Sequence, residues 1–406
     1  MVTLICVFPL SALENIALGK PYTLEPAPEY SHCTDPEDVK QLTDGIYTEG
    51  YFWTQTSTVG WSHASPVIIT VDLGEVKPIR GLSFNTAAGA AGVEWPRAIR
   101  VLLADDDRVF HALGDLTVLD REQDFPPREG YGIHRFWTDA LQTHGRYVAL
   151  VVESSPFTFV DEIEVYAGDA AWLETPLAGA AITDIKAYLT SLRVRDSIAK
   201  RMRNDLRDIR ELLTESVPET TCQEITAALD ALAAEVETAD LEPPADFRAV
   251  LPLNPLHARI LGQQARIWRA SGLPAYTVWQ STSAWDFIPY IGMPPQDADA
   301  SVEMRMMSGE YRAGAFQISN AGEEDAVFQL RIEGLPGGLN PPCVTVHEVA
   351  WTDTYNLRPV AAALPEATRE GDAYRITVPC GLTRQVWLTF HPTDEPAGRH
   401  EGILTV

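Results

Sequence analysis

The chain lacks the features that mark several common classes of protein. It has 31 Lys and Arg residues against 57 Asp and Glu, which gives a formal net charge of -26. A surface this acidic repels nucleic acids and anionic lipids. We therefore expect no nucleic-acid partner and favour a neutral or cationic ligand, unless the acidity serves solubility alone. Hydrophobic runs are too short to cross a bilayer, so no membrane insertion is expected.

Cysteines are few and form no recognisable motif. The five are Cys6, Cys33, Cys222, Cys343 and Cys380. The absence of any C-x-x-C pair argues against a structural zinc ion, and the odd count argues against a disulfide framework. The last two cysteines fall in the same C-terminal region and could pair, although free buried cysteines are common.

Catalytic motifs are also missing. The sequence has no G-x-S-x-G elbow, no H-E-x-x-H and no phosphate loop. With 57 acidic residues, neighbouring carboxylates do not by themselves indicate a glycosidase. Asp286 in "WDFIPY" lies beside aromatic residues, but it is better explained as the end of a strand or the cap of a turn. We do not expect this chain alone to be an enzyme, although it could be part of one.

The first residues allow two interpretations. Residues 2–10 are apolar but too few to span a membrane, and no basic stretch precedes them. We favour the remnant of a secretory leader within residues 1–14. That would place the protein outside the cell, on its surface or in the periplasm. The alternative is a first strand of the fold.

Strand patterns fill residues 15–168. In "PVIITVDLG", apolar residues alternate from Val67, the period of a half-buried strand. Gly74 is predicted to end this strand, and "EVKP" to form the turn before the next one. "RAIRVLLADDDRVFHAL" predicts a hairpin that turns at residues 104–107. The Asp run in that turn lacks the spacing of a calcium loop.

The remaining residues divide into a helical and a second strand-rich region. Residues 169–275 predict a helical hairpin and linker, with apolar residues at near-helical spacing over 185–213. Thr221 and Glu224 fit a capping box for the second helix. "HARILGQQARIWRASG" predicts a third, short helix. Residues 276–406 contain seven candidate strands, "SVEMRMM" the first, which favour an immunoglobulin-like sandwich.

Six phrases occur in a characteristic order within residues 15–168: "NIALGKPYT", "LTDGIYTEGYFW", "PVIITVDLGEVKPIRGLSF", "WPRAIRVLLADDD", "GRYVALVVES" and "DEIEVYAG". Together they resemble the discoidin, or coagulation-factor type C, domain, and especially its sugar-binding members, carbohydrate-binding module family 32. The resemblance implies a galactose-binding-like jelly-roll β-sandwich whose loops at one end hold the ligand. The expected fold is thus mostly β with a helical insert.

The resemblance also implies a structural calcium ion. Its ligands would be the carbonyl of Lys40 and oxygens of Asp44, Thr48 and Glu162. A hard cation that takes about 6–8 oxygen ligands would join the two chain ends of such a domain. The alternative is that Asp44 is an ordinary turn residue and Glu162 a solvent-facing strand residue.

Sugar recognition requires a flat aromatic face and forked polar groups. The candidate residues in the loops are Trp61, His63, Trp95, Arg97, His134 and Phe157. Trp61 and His63 are the first choices, because they lie in a loop before a strand beside Ser62. Each candidate has a structural alternative: Arg97 could tether a loop, and His134 could be an ordinary strand residue.

The C-terminal segment carries a second, less specific similarity. "SGEYRAGAFQISNAGEEDAVFQLRIEGL" and "AGRHEGILTV" are similar to the sandwich that precedes the catalytic barrel in certain glycoside hydrolases. We therefore predict non-catalytic binding of a polysaccharide or glycan by the front part of a longer hydrolase with a downstream catalytic domain. The alternatives are a glycoside hydrolase active in its own right and a protein-binding adhesion or scaffold module.

Overall fold

The computed structural model describes residues 13–121, 130–214, 216–296, 300–354 and 356–406, without the side chains of residues 362 and 363. The apolar run at residues 2–10 and Cys6 lie outside the described residues. The chain divides into two compact units, Met1–Tyr188 and Leu189–Val406. Among the described residues, no helix is both long and apolar enough to traverse a bilayer.

The first unit is built from antiparallel strands. They are β1 (Tyr22–Glu25), β2 (Val59–Ser62), β3 (Val67–Ala88), β4 (Ala98–Ala104), β5 (Phe110–Asp115), β6 (Gly132–Thr138), β7 (Thr143–Glu153), β8 (Phe157–Val160), β9 (Glu162–Ala167) and β10 (Ala181–Ile182), with a short helix α1 (Leu116–Leu119). One sheet has the order β1-β3-β7-β4-β5-β10, and β6 and β9 also pair with β3. β2 and β8 form a separate pair. Single turns of 3₁₀ helix occupy Pro36–Val39, Gln41–Thr43, Phe52–Thr54 and Ala170–Glu174.

Strand β3 connects the layers of this sandwich. The sequence predicted that Gly74 ends the strand, but this was wrong, because β3 continues through it to Ala88. The pairing with β7 shifts register between Asp72 and Lys77, which lets the strand bend without ending. The first half of β3 pairs with β1, and the second half pairs with β6 and β9. Apolar side chains of both halves share one core.

The predicted hairpin of the first unit is confirmed. β4 pairs with β5 in antiparallel fashion across the residues 104–107 turn. Asp106 Oδ1 accepts hydrogen bonds from the backbone N–H groups of Arg108 (2.9 Å) and Val109 (3.1 Å). This aspartate therefore stabilises the turn, as expected for a residue outside any calcium loop.

Three helices precede the second sandwich: α2 (Ile185–Arg210), α3 (Glu219–Thr238) and α4 (Pro255–Ala270). Arg203 of α2 pairs with Glu237 of α3 (2.7 Å), and Arg210 of α2 pairs with Asp230 of α3 (2.5 Å). Because the residue numbers rise along α2 while those of the partners fall along α3, the predicted antiparallel hairpin is confirmed. The predicted capping box is wrong, since Pro218 occupies the N-cap of α3 without a side-chain hydrogen bond. The helix begins at Glu219, two residues before the predicted cap at Thr221.

The second unit also contains a two-sheet sandwich. Its strands are β11 (Tyr276–Trp279), β12 (Arg312–Asn320), β13 (Ala326–Glu333), β14 (Val344–Thr352), β15 (Val360–Ala363), β16 (Thr368–Glu370), β17 (Ala373–Val378), β18 (Thr383–Phe390) and β19 (Ile403–Thr405). The sheets have the orders β11-β12-β18-β14-β15 and β16-β17-β13-β19. The predicted strand "SVEMRMM" is wrong, since residues 301–307 pair with no strand in the described chain. The predicted class, mostly β with a helical insert, is confirmed.

The described cysteines are all free thiols, so Cys343 and Cys380 do not pair. The Cys380 Sγ instead lies 3.3 Å from the carbonyl oxygen of Gly322. Burial raises the pKa of the Cys380 thiol, which keeps it protonated and unreactive at neutral pH.

Candidate functional site

Aromatic rings from well-separated stretches of the first unit form one cluster. We call it the aromatic rim; its members are Tyr30, Tyr51, Trp53, His63, Tyr131 and Phe157, around the buried ring of Phe159. Phe159 is 2% exposed, whereas Tyr51 is 52% exposed. The rim therefore presents ring surface to solvent from a buried aromatic base.

Contacts with Phe159 fix the base of the rim. Its ring centroid lies 5.0 Å from that of Tyr30, 5.9 Å from Trp53 and 6.1 Å from Phe157. The Tyr30 contact is edge-to-face and the Phe157 contact is stacked, both preferred arrangements of aromatic pairs. Because three rings share one buried partner, their positions depend on each other.

Tyr131 joins the rim to a second loop. Its ring lies 4.6 Å from Tyr51 between centroids, and its hydroxyl donates a hydrogen bond to the Gly50 carbonyl. The residue before it, Gly130, packs directly against Gly89: a Cβ built on Gly89 would lie 1.9 Å from the Gly130 carbonyl oxygen. Gly89 also has φ +90°, so two independent constraints require glycine there.

The β2–β8 pair brings His63 and Phe157 together. Ser62, the last residue of β2, is opposite Phe157, the first residue of β8. His63 follows with a left-handed φ of 59°, and its N–H donates to the Pro156 carbonyl at 2.6 Å. The two rings are 6.0 Å apart between centroids. The His63 side chain is exposed, and its Nδ1 lies 2.8 Å from Ser62 Oγ. An imidazole thus stands beside a partly exposed phenyl ring.

The expectation that Trp61 offers an open ring is wrong. Its side chain is 0% exposed and belongs to the core of the sandwich. The indole Nε1 donates to the Pro26 carbonyl at 2.8 Å, so even its polar edge is satisfied internally. Trp61 therefore supports the loop that carries His63 and cannot stack on a ligand.

Trp95 and His134 contact each other, and both contact the buried ring of Phe136. His134 is 5% exposed, and its Nε2 lies 2.7 Å from Asp120 Oδ2. The half-buried Trp95 ring meets it at 5.9 Å between centroids. Burial contradicts the expectation that His134 is a binding residue in a loop, since it is a strand residue of β6. Arg97 is exposed, and its backbone N–H donates to the Glu153 carbonyl.

Three members of the rim were not predicted from the sequence: Tyr30, Tyr51 and Tyr131. A signal was present for two of them, because "EGYFW" and "EGYG" place a tyrosine directly after glycine in a loop. Exposed aromatic residues at such turns favour contact with a ligand. For Tyr30, which is held by tertiary packing against Phe159, the sequence gives no comparable signal.

Glu162 is the most unusual member of the predicted calcium set. The residue is 0% exposed; its Oε2 accepts from the Gly45 N–H at 3.1 Å, and its Oε1 has no hydrogen-bond partner. Burial, together with the nearby carboxylate of Asp44, raises the pKa of Glu162 to about 8. A buried carboxylate oxygen without a partner is costly unless a cation satisfies it, so this residue fits a hard cation.

The other predicted ligands are close in sequence but differ in exposure. Asp44 is exposed and its Oδ1 accepts from the Ile46 N–H at 2.8 Å, as a turn residue would. Thr48 is buried, and its N–H donates to Asp161 Oδ2 at 2.7 Å. Lys40 pairs through its ammonium group with Glu37, which leaves its carbonyl as the only ligand it could provide. Within the described residues, no three His, Cys, Asp or Glu side chains form a group that could hold a metal ion, so any site would depend on backbone and hydroxyl oxygens.

Comparisons with known proteins identify similar structures over part of the chain. No protein-family model matches, and no curated protein matches. A fucose-binding module of Streptococcus pneumoniae is 16% identical, with coverage of 39% of this chain and 100% of the module and a TM-score of 0.27. A family 32 carbohydrate-binding module of Clostridium perfringens is 16% identical, with coverage of 38% and 100% and a TM-score of 0.24.

A third match is to a larger protein. The structure of SpGH29 is 14% identical, with a TM-score of 0.26, and the match covers 39% of this chain but only 28% of SpGH29. A family 32 module, the kind of domain that residues 15–168 resemble in sequence, is thus among the similar structures. Each of these three matches extends over less than two fifths of this chain.

Proposed function

We propose that the first unit binds a neutral carbohydrate at the aromatic rim without altering it. The observation that carries this proposal is the exposed His63 imidazole beside Phe157, whose buried partner Phe159 also contacts Trp53. The exposed ring of Tyr51 packs in turn against Trp53. Ring faces accept the C–H side of a sugar, and an imidazole can donate to or accept from its hydroxyls. The rim offers both kinds of contact on a fixed scaffold.

Charge and shape narrow the ligand class. The net charge of -26 disfavours acidic glycans through long-range repulsion, so we expect a neutral or cationic polysaccharide. Tyr51 and His63 are exposed, so a ligand bound beside them should keep much of its surface in water. The affinity of a single site should accordingly be weak, since little area is buried to offset the entropy of association.

The wider role proposed here is targeting. The C-terminal similarity to sandwiches that precede catalytic barrels supports a role as the front part of an extracellular or periplasmic glycoside hydrolase. In that role the rim would hold the enzyme on its substrate. Hydrolysis of a panel of chromogenic glycosides by the purified chain would contradict the non-catalytic part of this proposal.

We also propose that a calcium ion is held at Glu162. The unpartnered, buried Oε1 is the observation that supports it. Oxygens of Lys40, Asp44 and Thr48 would complete the ligand set. Bound calcium would tie the residues 40–48 segment to strand β9 and so stabilise the unit; it would supply no catalytic chemistry.

The test is binding of the full chain to a glycan array, followed by titration of the best ligand with variants. Phe157→Ala and Tyr51→Ala each remove one ring face, and His63→Ala removes the imidazole. Loss of the apolar contact of one ring should weaken binding about fivefold to thirtyfold, from roughly 1–2 kcal/mol of lost burial. Tyr311→Ala, which removes a ring that is 69% exposed in the second unit, should leave this affinity unchanged.

Two outcomes would overturn the assignment. If all three rim variants bind as tightly as the parent, the site lies elsewhere. If no glycan binds while a protein partner is captured and released by the rim variants, the rim is a protein-binding surface.

A further inference from the structure

The most exposed aromatic rings among the described residues lie outside the rim. Trp285 is 79% exposed and Phe287 is 72% exposed, and both belong to the segment of residues 281–290 in the second unit, which we call the platform loop. Burying rings of this size is the dominant apolar contribution available at a surface. Leaving two of them in water therefore requires an explanation.

Each exposed ring stands on a buried tryptophan. Trp285 meets Trp387 of β18 at 4.7 Å between centroids and an interplanar angle of 78°. Phe287 meets Trp351 of β14 at 5.6 Å and 74°. The supporting rings are only 7% and 6% exposed, respectively. Edge contacts of this kind fix the orientation of a ring while most of its surface stays open to solvent.

Hydrogen bonds hold the backbone of the platform loop in place. The Ser283 N–H donates to Asp286 Oδ2 at 2.7 Å, and the Asp286 N–H donates back to the Ser283 carbonyl at 3.1 Å. Gln385 Nε2, from strand β18, donates to the Ala284 carbonyl at 3.2 Å. Asp286 is thus a turn residue, as predicted, and the turn projects Trp285 from a fixed base.

The far end of the platform loop is anchored in a buried polar network. The Tyr290 hydroxyl lies 2.5 Å from Asp205 Oδ1 and 2.7 Å from Arg201 Nη1. Gln264 Nε2 donates to the Tyr290 carbonyl at 3.0 Å. Because buried networks of this kind are costly to disrupt, the loop is held at both ends and binding at its rings would require little ordering.

We propose that the platform loop is a second carbohydrate-binding site, which takes an extended, neutral oligosaccharide along Trp285 and Phe287. The strands set the spacing of the two supports. Trp387 lies opposite His347 on β14, and Trp351 is four residues further along that strand. At about 3.4 Å per residue the two supports lie roughly 14 Å apart, so the exposed rings rest on separate parts of the sheet and an extended chain of sugars can contact both.

The surroundings of the rings favour a sugar over a protein partner. Thr282 and Asp286 are exposed on the same short loop as the rings, so a hydroxyl and a carboxylate able to bind sugar hydroxyls lie close to the aromatic faces in the chain. A protein hot spot instead places its rings in a contiguous, desolvated patch. The net charge of -26 again disfavours an acidic polysaccharide. This site does not depend on the aromatic rim, and either could exist without the other.

The experiment uses the full chain with the rim disabled by Tyr51→Ala and Phe157→Ala. Native gels cast with galactomannan, xyloglucan or mixed-linkage β-glucan measure retardation by each polysaccharide. We expect retardation to persist in at least one gel and Trp285→Ala to weaken the apparent affinity about fivefold to thirtyfold, from the lost ring contact. Phe287→Ala should act similarly, and Trp285→Phe should retain part of the binding.

A matched control is available in the same unit. Tyr276 is 50% exposed and stands edge-on to Phe328, at 5.2 Å and 89°, yet it lies outside the platform loop. Tyr276→Ala should leave retardation unchanged. Oligosaccharides should compete with the polysaccharide, whereas the free monosaccharide should not.

Several results would overturn the proposal. Absence of retardation of the rim-disabled chain in every gel would do so, as would equal retardation of that chain with and without Trp285→Ala. Self-association of the parent that Trp285→Ala abolishes, without any effect of polysaccharide, would assign the platform loop to protein contact instead. If the single rim variants still bind the array glycan as tightly as the parent, only the rim assignment fails. The gels with the rim-disabled chain test the platform loop separately, so failures of the two sites are distinguishable.

Discussion

The aromatic rim of the first unit and the platform loop of the second unit expose rings in different ways. In the rim, Tyr30, Trp53 and Phe157 all lean on one buried ring, Phe159. On the platform loop, Trp285 and Phe287 each have a separate tryptophan beneath them. A shared support makes the rings of a site interdependent, whereas separate supports allow each ring to be lost or changed alone.

The largest expected effect comes from removing a support in each unit. Phe159→Ala should lower the free energy of unfolding of the first unit by about 3–5 kcal/mol and weaken binding at the rim more than the loss of any single rim ring, since several rings lose their base. Trp387→Ala should destabilise the second unit by a similar amount but impair only the Trp285 half of the platform loop. Denaturant unfolding of the full chain and titration with the array ligand measure the two effects.

The double variants decide whether this difference is real. Rim variants combined with Phe159→Ala should show strongly non-additive losses of binding, whereas Phe287→Ala combined with Trp387→Ala should be nearly additive. Additive behaviour in both units would mean that the rim rings are as independent as those of the platform loop.

An intermediate effect is expected at Trp61, the aromatic residue that supports the rim without belonging to it. Trp61→Phe removes the Nε1 hydrogen bond to Pro26 and leaves a small void, and we expect a loss of about 1–3 kcal/mol of stability. Affinity for the glycan should be unchanged wherever the variant is folded. Thermal unfolding and ligand titration at a temperature well below the transition check this. A loss of affinity without a loss of stability would mean that Trp61 contributes directly to binding.

Local patterns predicted much of the fold. Alternating residues around Val67 and the helical spacing over 185–213 report contacts between near neighbours in the chain, so both elements were found. The continuation of β3 through Gly74 was not, because pairing with β7 on the far side of the bulge outweighs the local turn signal. Strand β11 was missed for the same reason, as it exists through its pairing with β12.

Exposure was the property that the sequence could not predict. Trp61 and Trp285 both have serines close by in the sequence, yet one is 0% and the other 79% exposed. The difference is set by distant partners: the Pro26 carbonyl accepts a hydrogen bond from the indole of Trp61, while Trp285 makes an edge-to-face contact with Trp387. His63 and Phe157 were both predicted, but only the β2–β8 register places them side by side.

The smallest expected effect is the calcium response of Glu162, the predicted calcium ligand of the first unit, and it depends on the protonation of that residue. Burial raises the pKa of Glu162 to about 8, whereas in the unfolded chain it should lie near 4.3, roughly the free value. The folded state therefore keeps a proton that the unfolded chain loses, and this contribution to stability is lost as pH rises from about 5 to 8. In chelator, the melting temperature should fall over that range.

Added calcium and a matched variant separate the contribution of Glu162 to the pH dependence of stability from that of the other charged residues. Calcium requires the carboxylate, so it should raise the melting temperature mainly above pH 7, by on the order of 2–4 °C. Glu162→Gln should not respond to calcium. Its melting temperature should also vary less with pH than that of the parent, and the difference between the two at each pH is the contribution of Glu162. An equal calcium response in parent and variant would remove Glu162 from the ligand set.

The length of β3 has a consequence for how the first unit comes apart. A single uninterrupted strand of 22 residues takes part in every layer that surrounds it, so neither layer can detach while the other survives. Its amide protons should therefore exchange with solvent at one common, slow rate along both halves, set by global opening rather than by local fraying. A carbohydrate held at the rim would slow that opening for the whole unit at once.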